Sequence, residues 1–284
     1  MTSLKGQKPM SKNPRLKLLM YGNAGVGKTT ASCMLPRPYI IDSEHGTDHY
    51  ADLINKAGGV VHQTTDMAEV IEDVRKLSTE EHPYKTVVID PITPLYFDLV
   101  EKCEEEVGSE WGRHYGEANK HMKRLVNLLM RLDMNVVVTA HEKTIYGDDM
   151  KKTGITFDGW KKLDYIFDLV LELKRKTPTK RFAKVVKSRI ESFPDGESFE
   201  WNYSSLTDRY SQDEIERDVE VVETITKEQI EEINLMSEKL TDGQEFVDKM
   251  MRRAKVDIMS DLTFEQADKL IAYFHKTLGI KKGK

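Results

Sequence analysis

Short apolar runs alternate along the first two-thirds of the chain with stretches in which apolar positions recur every three or four residues. The runs are Leu16 with Leu18 to Tyr21, Tyr39 to Asp42 (YIID), Val60 to His62, Thr86 to Asp90 (TVVID) and Val136 to Ala140 (VVVTA). Continuous apolar runs of this length, bounded by polar residues, predict buried strands. Between them, Val70, Ile71, Val74 and Leu77 mark one helix, and Leu95, Leu99, Cys103 and Val107 another. A long helix over 115–132 carries Ala118, Met122, Leu125, Val126, Leu129 and Leu132 on one stripe. Strands with no polar face, separated by amphipathic helices, predict an α/β domain with a mostly parallel sheet.

The pattern changes at about Leu163. Ile166 to Leu173 and Arg181 to Lys187 read as strands flanking the polar turn KRKTPTK, a late antiparallel hairpin, and Ser198 to Tyr203 as a last strand. Beyond the polar, acidic stretch Ser211 to Val222 the periodicity is helical throughout, with capping-box sequences at Thr226–Gln229 and Thr263–Gln266. The expected organisation is a flexible basic leader over 1–15, an α/β domain over 16–210, an acidic linker over 211–224 and a small three-helix domain over 225–284.

Composition narrows the classes. A net charge of −5 gives no global attraction to nucleic acid, so any such site must be a local patch. No apolar run approaches a membrane span, the N-terminus lacks a signal core, and two lone cysteines, Cys33 and Cys103, point to a reducing compartment. No membrane partner and a cytoplasmic location are expected.

The chemistry centres on Gly22 to Thr29, GNAGVGKT, which fits G-x-x-x-x-G-K-[ST] between a predicted strand and a predicted helix. Gly22, Asn23, Ala24, Gly25, Val26 and Gly27 would turn backbone N–H groups toward an anion, with Thr30 continuing the contact. Lys28 would reach the terminal phosphates and Thr29 would offer its hydroxyl to Mg²⁺, so ATP and Mg²⁺ are the expected ligands. Asp90, closing a strand taken as neighbouring and parallel, is the expected water-mediated Mg²⁺ holder. Hydrolysis also needs a group that orients water; Glu44, just past the second strand, is the choice, with Asp42 as competitor. His141 ends VVVTAH at the same sheet edge, where an imidazole can sense a γ-phosphate.

Several segments in order resemble the bacterial RecA recombinases: PYIIDSEHGTDHYADLINKAGG, VVIDPIT, GSEWGRHYGEANKHMKRLVNLL, VVVTAHE, and FDLVLELKR with FAKVVKSRIESF. The similarity spans about residues 16 to 203 and is nearest to short phage RecA-like ATPases that anneal single strands. The resemblance implies a RecA-like core in which Glu44 is the catalytic base. His141 replaces a γ-phosphate-reporting glutamine, and Lys187 and Arg189 reach across a subunit interface to a neighbour's phosphate. It also implies adenine contact near Asp48 and Tyr50, self-assembly as a ring or filament, and, for a phage protein, the bacterial host's cytoplasm. The family's N-terminal gripping helix and strand have no counterpart before Leu16, and the C-terminal helices do not resemble RecA's.

Two segments are expected to bind single-stranded DNA. The first, 108–116, holds Trp111, Arg113 and Tyr115; the second, 142–162, read as a mobile loop, holds Lys143, Lys151, Lys152, Trp160 and Lys161. Aromatic rings stack on unpaired bases while cations follow the backbone. The expected function is an ATP-dependent protein of recombination or strand annealing. The alternatives are a ring ATPase of helicase or helicase-loader type, or an ATP-switched adaptor whose C-terminal helices recruit a single-strand DNA-binding protein.

Overall fold

The computed structural model describes residues 14–147, 150–221, 223–254 and 256–279. Residues 1–13 of the expected leader and the last five residues lie outside them, and Arg15, expected in the flexible leader, is buried. The core elements in chain order are β1 (Lys17–Tyr21), α1 (Lys28–Cys33), β2 (Pro38–Asp42), α2 (Ala51–Ala57), β3 (Val60–Gln63), α3 (Met67–Thr79), β4 (Thr86–Asp90), α4 (Ile92–Val107), α5 (Arg113–Arg131), β5 (Asn135–Tyr146), β6 (Lys152–Asp158), α6 (Leu163–Ile166), β7 (Leu169–Arg175), β8 (Arg181–Ser188) and β9 (Ser198–Glu200). They form one nine-stranded sheet in the order β3-β2-β4-β5-β1-β7-β8-β9, with β6 paired to β5. The strands from β3 to β7 in that order are parallel; β6, β8 and β9 join antiparallel.

Alternate residues of each central strand feed different cores, because successive strand side chains point to opposite faces. Leu19, Tyr21, Ile41, Val87, Ile89, Val136 and Val138 pack under α3, α4 and α5. Leu18, Met20, Ile40, Val88 and Val137 pack on the other face with residues of α1, α2 and the later segments. Each such fully buried aliphatic side chain contributes about 1.5–3 kcal/mol relative to exposure, which explains why these strands read as unbroken apolar runs.

Two elements differ from the sequence reading. Within the stretch 142–162, read as a loop, residues 142–146 and 152–158 are strands of an arm: β5 runs on past the sheet to Tyr146 and pairs with β6, His141 opposite Asp158 and Thr144 opposite Ile155. Between Ser198 and Tyr203 the strand stops at Glu200, and α7 (Tyr203–Tyr210) begins behind Asn202, whose side chain accepts the Ser205 N–H.

Residues 211–221, acidic in composition, carry α8 (Gln212–Glu216) and lie along the edge of the sheet away from the P-loop. Ile215 is buried there, its carbonyl accepts from Asn135 Nδ2 at 2.7 Å, and Asp133 takes both Arg15 (3.1 Å) and Arg217 (3.0 Å). Beyond it α9 (Lys227–Ser237), α10 (Gly243–Ala254) and α11 (Phe264–Leu278) enclose their own small core of Ile233, Val247, Leu270 and Phe274. Thr226 with Gln229 and Thr263 with Gln266 form reciprocal capping boxes at α9 and α11. No helix among the described residues is long and apolar enough to cross a membrane.

Candidate nucleotide site

β1 delivers the chain to the P-loop at the carboxyl edge of the sheet. Gly22 is required there: at φ 154°, a Cβ would lie 2.5 Å from the Leu173 carbonyl oxygen of β7. A cavity of about 410 Å³ opens over the loop, lined by Gly22, Asn23, Ala24, Gly25, Lys28, Thr29, Glu44, Asp90, Pro91, His141 and Glu142. Four segments distant in sequence therefore converge on one space, and the sequence-nominated Lys28, Thr29, Glu44, Asp90 and His141 all reach it.

Lys28 donates from Nζ to the carbonyls of Gly22 (2.7 Å) and Asn23 (3.1 Å). Burial lowers its ammonium from the ordinary lysine range, while the Asp90, Glu142 and Glu44 carboxylates oppose that. Asp90 is buried, and burial pushes its carboxyl above the usual range despite hydrogen bonds from the Thr139 and Thr29 hydroxyls. Asp90 does not stand on the neighbour of β1; β5 lies between them and contributes Thr139 as the bridge. Among the described residues no cluster of three or more His, Cys, Asp or Glu could enclose a metal alone. Thr29 and Asp90 form instead the protein half of a site that phosphate oxygens would complete, which fits Mg²⁺ brought in with a nucleotide.

Asp42 is excluded as the water-orienting acid. It is 1% exposed and accepts from the N–H groups of Glu44 (3.1 Å), Gly46 (3.1 Å) and Thr47 (2.9 Å) and from the Thr47 hydroxyl (2.6 Å). Burial would raise its carboxyl, but these four donors outweigh burial and hold it low. The same cage fixes the turn that presents Glu44 to the cavity, with His45 in the left-handed region at φ 55°. Glu44 Oε1 pairs with His141 Nε2 at 2.9 Å. The His141 backbone N–H donates to Thr93 Oγ1 (3.0 Å), and that hydroxyl donates to the Asp158 carbonyl of β6 (2.7 Å), so this sensor position is tied to the arm.

Tyr50 comes near the P-loop, its hydroxyl 3.4 Å from Thr30 Oγ1. Asp48 does not: it accepts from Gln63 of β3 and faces a separate hollow there. A second, apolar cavity of about 250 Å³ adjoins the P-loop on the Gly27 and Thr30 side, lined further by Met34, Arg181, Trp201, Asn202 and Tyr203. The turn into α7 hid these residues from the sequence reading.

A family model described as an AAA domain matches residues 15–197, well over half of the 284 residues. The chain belongs to the AAA domain family. Its AAA domain takes in β1 to β8 with α1 to α6, and so contains the P-loop, Glu44, Asp90 and His141. That makes it a P-loop ATPase core, a nucleotide-binding domain of a class that ordinarily works with Mg²⁺. No curated protein matches the chain.

The remaining nominated residues lie elsewhere on the AAA domain. Lys187 and Arg189 are at the far edge of the sheet from their own P-loop, level with Lys17. Lys187 Nζ donates to the Phe167 carbonyl, and Arg189 donates to Tyr165 O (2.7 Å) and Asp168 Oδ1 (2.9 Å). Trp111 is 98% exposed with φ 54°, between Gly108 and Gly112. Arg113 and Tyr115 are exposed beside it, Arg113 paired with Glu110 at 3.1 Å. Lys143, Lys151 and Lys152 are exposed on the arm and Lys161 follows it; Lys143 meets Asp158 at 3.3 Å. Trp160 is a correction: it is 5% exposed, packed in the main core, with Nε1 donating to Asn119 Oδ1 at 2.6 Å. A ring so enclosed is no stacking platform; its sequence neighbours Lys161 and Lys162 are exposed, which made it read as a surface residue.

Proposed function

We propose that the chain is an ATPase that binds single-stranded DNA on the Trp111 turn and the β5–β6 arm, in recombination or strand annealing, with ATP occupancy setting the arm's position. The observation that carries this reading is continuity. His141 and Glu142 line the phosphate cavity and are also the first arm residues paired to β6. A γ-phosphate that competes for the Glu44–His141 pair would therefore be felt at the root of a hairpin that exposes Tyr146, Met150, Lys143, Lys151 and Lys152 along its length. Arm and Trp111 turn meet on α5, where Asn119 holds Trp160. Exposed aromatic rings and lysines suit an unpaired strand, and the held left-handed backbone of a fully exposed tryptophan suits a ligand-contacting turn.

Phosphates would occupy the Lys28–Asp90 cavity and the nucleoside the adjoining apolar cavity, beside Trp201 and Tyr203. Lys187 and Arg189 cannot reach their own P-loop across the sheet, so any phosphate they stabilise belongs to another copy in a ring or filament. The C-terminal helices would then be free to recruit a single-strand DNA-binding protein. The reading is tested by fluorescence anisotropy of a labelled oligonucleotide with a non-hydrolysable ATP analogue. Trp111→Ala and a combined Lys143→Ala, Lys151→Ala, Lys152→Ala variant should each weaken binding at least roughly tenfold, as lost base stacking or lost phosphate contacts do. Wild-type affinity in both would refute the DNA assignment and leave the ATPase core standing.

A further inference from the structure

Arg181 opens β8 beside the P-loop. Its side chain lies directly on Gly27: a Cβ there would be 2.6 Å from Arg181 Nε and 2.9 Å from Cδ. This contact, with φ at +95°, fixes glycine at position 27 independently of any motif. Arg181 Nε is buried and has no hydrogen-bond partner among the described residues, and Nη1 makes only a 3.5 Å contact to the Thr179 carbonyl. A guanidinium carries five donors, and a buried one left unpaired is costly.

The strand register adds a second observation. Arg181 stands directly opposite Arg175, and like charges facing each other across an antiparallel pair destabilise it. Arg175 has turned its guanidinium to the Thr177 and Pro178 carbonyls, 3.3 and 2.9 Å away. Arg181, with Lys180 beside it in sequence, keeps its charge at the P-loop. Its position there is specific. Lys28 and Thr29 line the phosphate cavity, whereas Gly27 and Thr30 line the apolar one, and Arg181 sits at that junction. A nucleotide with its terminal phosphates on one side and its nucleoside on the other crosses at this point, and the group that crosses is the phosphate next to the ribose.

We propose that Arg181 is a nucleotide-binding residue that pairs with the α-phosphate, from the side of the P-loop opposite Lys28. This rests on the P-loop reading above and adds a residue that neither the motif nor the resemblance supplies. Because the contact is to phosphate, it is indifferent to the base.

The test measures displacement of a fluorescent nucleotide from the full chain by ATP and by GTP, at equilibrium with Mg²⁺. Arg181→Ala should weaken both roughly tenfold or more and by the same factor, as loss of a charge-assisted bond does, and Arg181→Lys should recover part of the loss. Unchanged affinity in Arg181→Ala overturns the proposal, as does a loss confined to one base, which would make Arg181 a base contact. Lys28→Ala separates the two levels: if it abolishes binding while Arg181→Ala has no effect, the P-loop reading survives and this inference fails. A wild-type chain that binds no nucleotide overturns both.

Discussion

Asp42 and Asp90 are register partners on β2 and β4, two carboxylates side by side at the same sheet edge, and their surroundings assign them opposite tasks. Four donors saturate Asp42 and make it a fixed post for the Glu44 turn. Asp90 is buried with hydroxyl partners alone, and its carboxyl is raised. A carboxyl raised in the folded state adds stability below its unfolded value, and that contribution is lost as pH rises through the folded value. At neutral pH the empty protein therefore carries a cost at Asp90 that a metal would relieve. Asp90→Asn should raise the melting temperature of the nucleotide-free protein at neutral pH while abolishing Mg²⁺-dependent turnover. The gain should shrink near about pH 4, where the unfolded carboxyl is itself becoming protonated. Differential scanning fluorimetry at the two pH values checks it; a lower melting temperature at neutral pH would contradict it. The P-loop and Asp90 were legible because strand, motif and acid are local in sequence. Glu44 could be preferred over Asp42 from its place just past the strand, but the donors that occupy Asp42 could not be read, because they come from a turn whose closure no periodicity announces.

At the scale of elements, α5 joins the proposed DNA surface to the strand that feeds the P-loop. It starts at the Trp111 turn, and its last carbonyls fall over β1. Buried Lys17 donates from Nζ to Leu129, Leu132 and Met134 carbonyls, 3.0 Å each, which closes the C-terminal end of the helix. Burial pushes the Lys17 ammonium down to about 7. A depressed lysine contributes stability that is present above its unfolded value and is lost as pH falls through the folded one. Lys17→Met should cost about 1–3 kcal/mol by stranding buried carbonyls. The deficit relative to wild type should widen between neutral pH and pH of about 10, as read by urea unfolding. A deficit that shrinks over that range would refute the assignment. The helix itself was plain from its apolar stripe, and its clamp was not, since a lysine in an apolar run gives no sign of which carbonyls it will meet. The arm was missed for a related reason. Gly147 and Gly154 punctuate the β5–β6 sequence, and only the cross-strand register from His141–Asp158 to Tyr146–Lys152 makes a hairpin of it.

For the whole molecule, the small helical unit is fastened to the same helix. Asp261, buried just before α11, takes Arg124 of α5 through both oxygens at 3.1 and 3.3 Å, and its carbonyl accepts from Arg131 at 3.0 Å. Sheet, Trp111 turn, arm and C-terminal helices thus share α5 as a common support. The division into α/β core and helical tail was readable from the change of period, whereas this docking depends on three charged residues that look solvated in sequence. The central claim, that a P-loop ATPase works with single-stranded DNA through sites shared between copies, is tested most directly by ATP turnover with and without single-stranded DNA across protein concentration, beside Lys187→Ala. DNA should raise turnover, the rate per subunit should climb with concentration, and Lys187→Ala should bind nucleotide but not hydrolyse it. Turnover indifferent to DNA and strictly proportional to protein, with Lys187→Ala fully active, would contradict it.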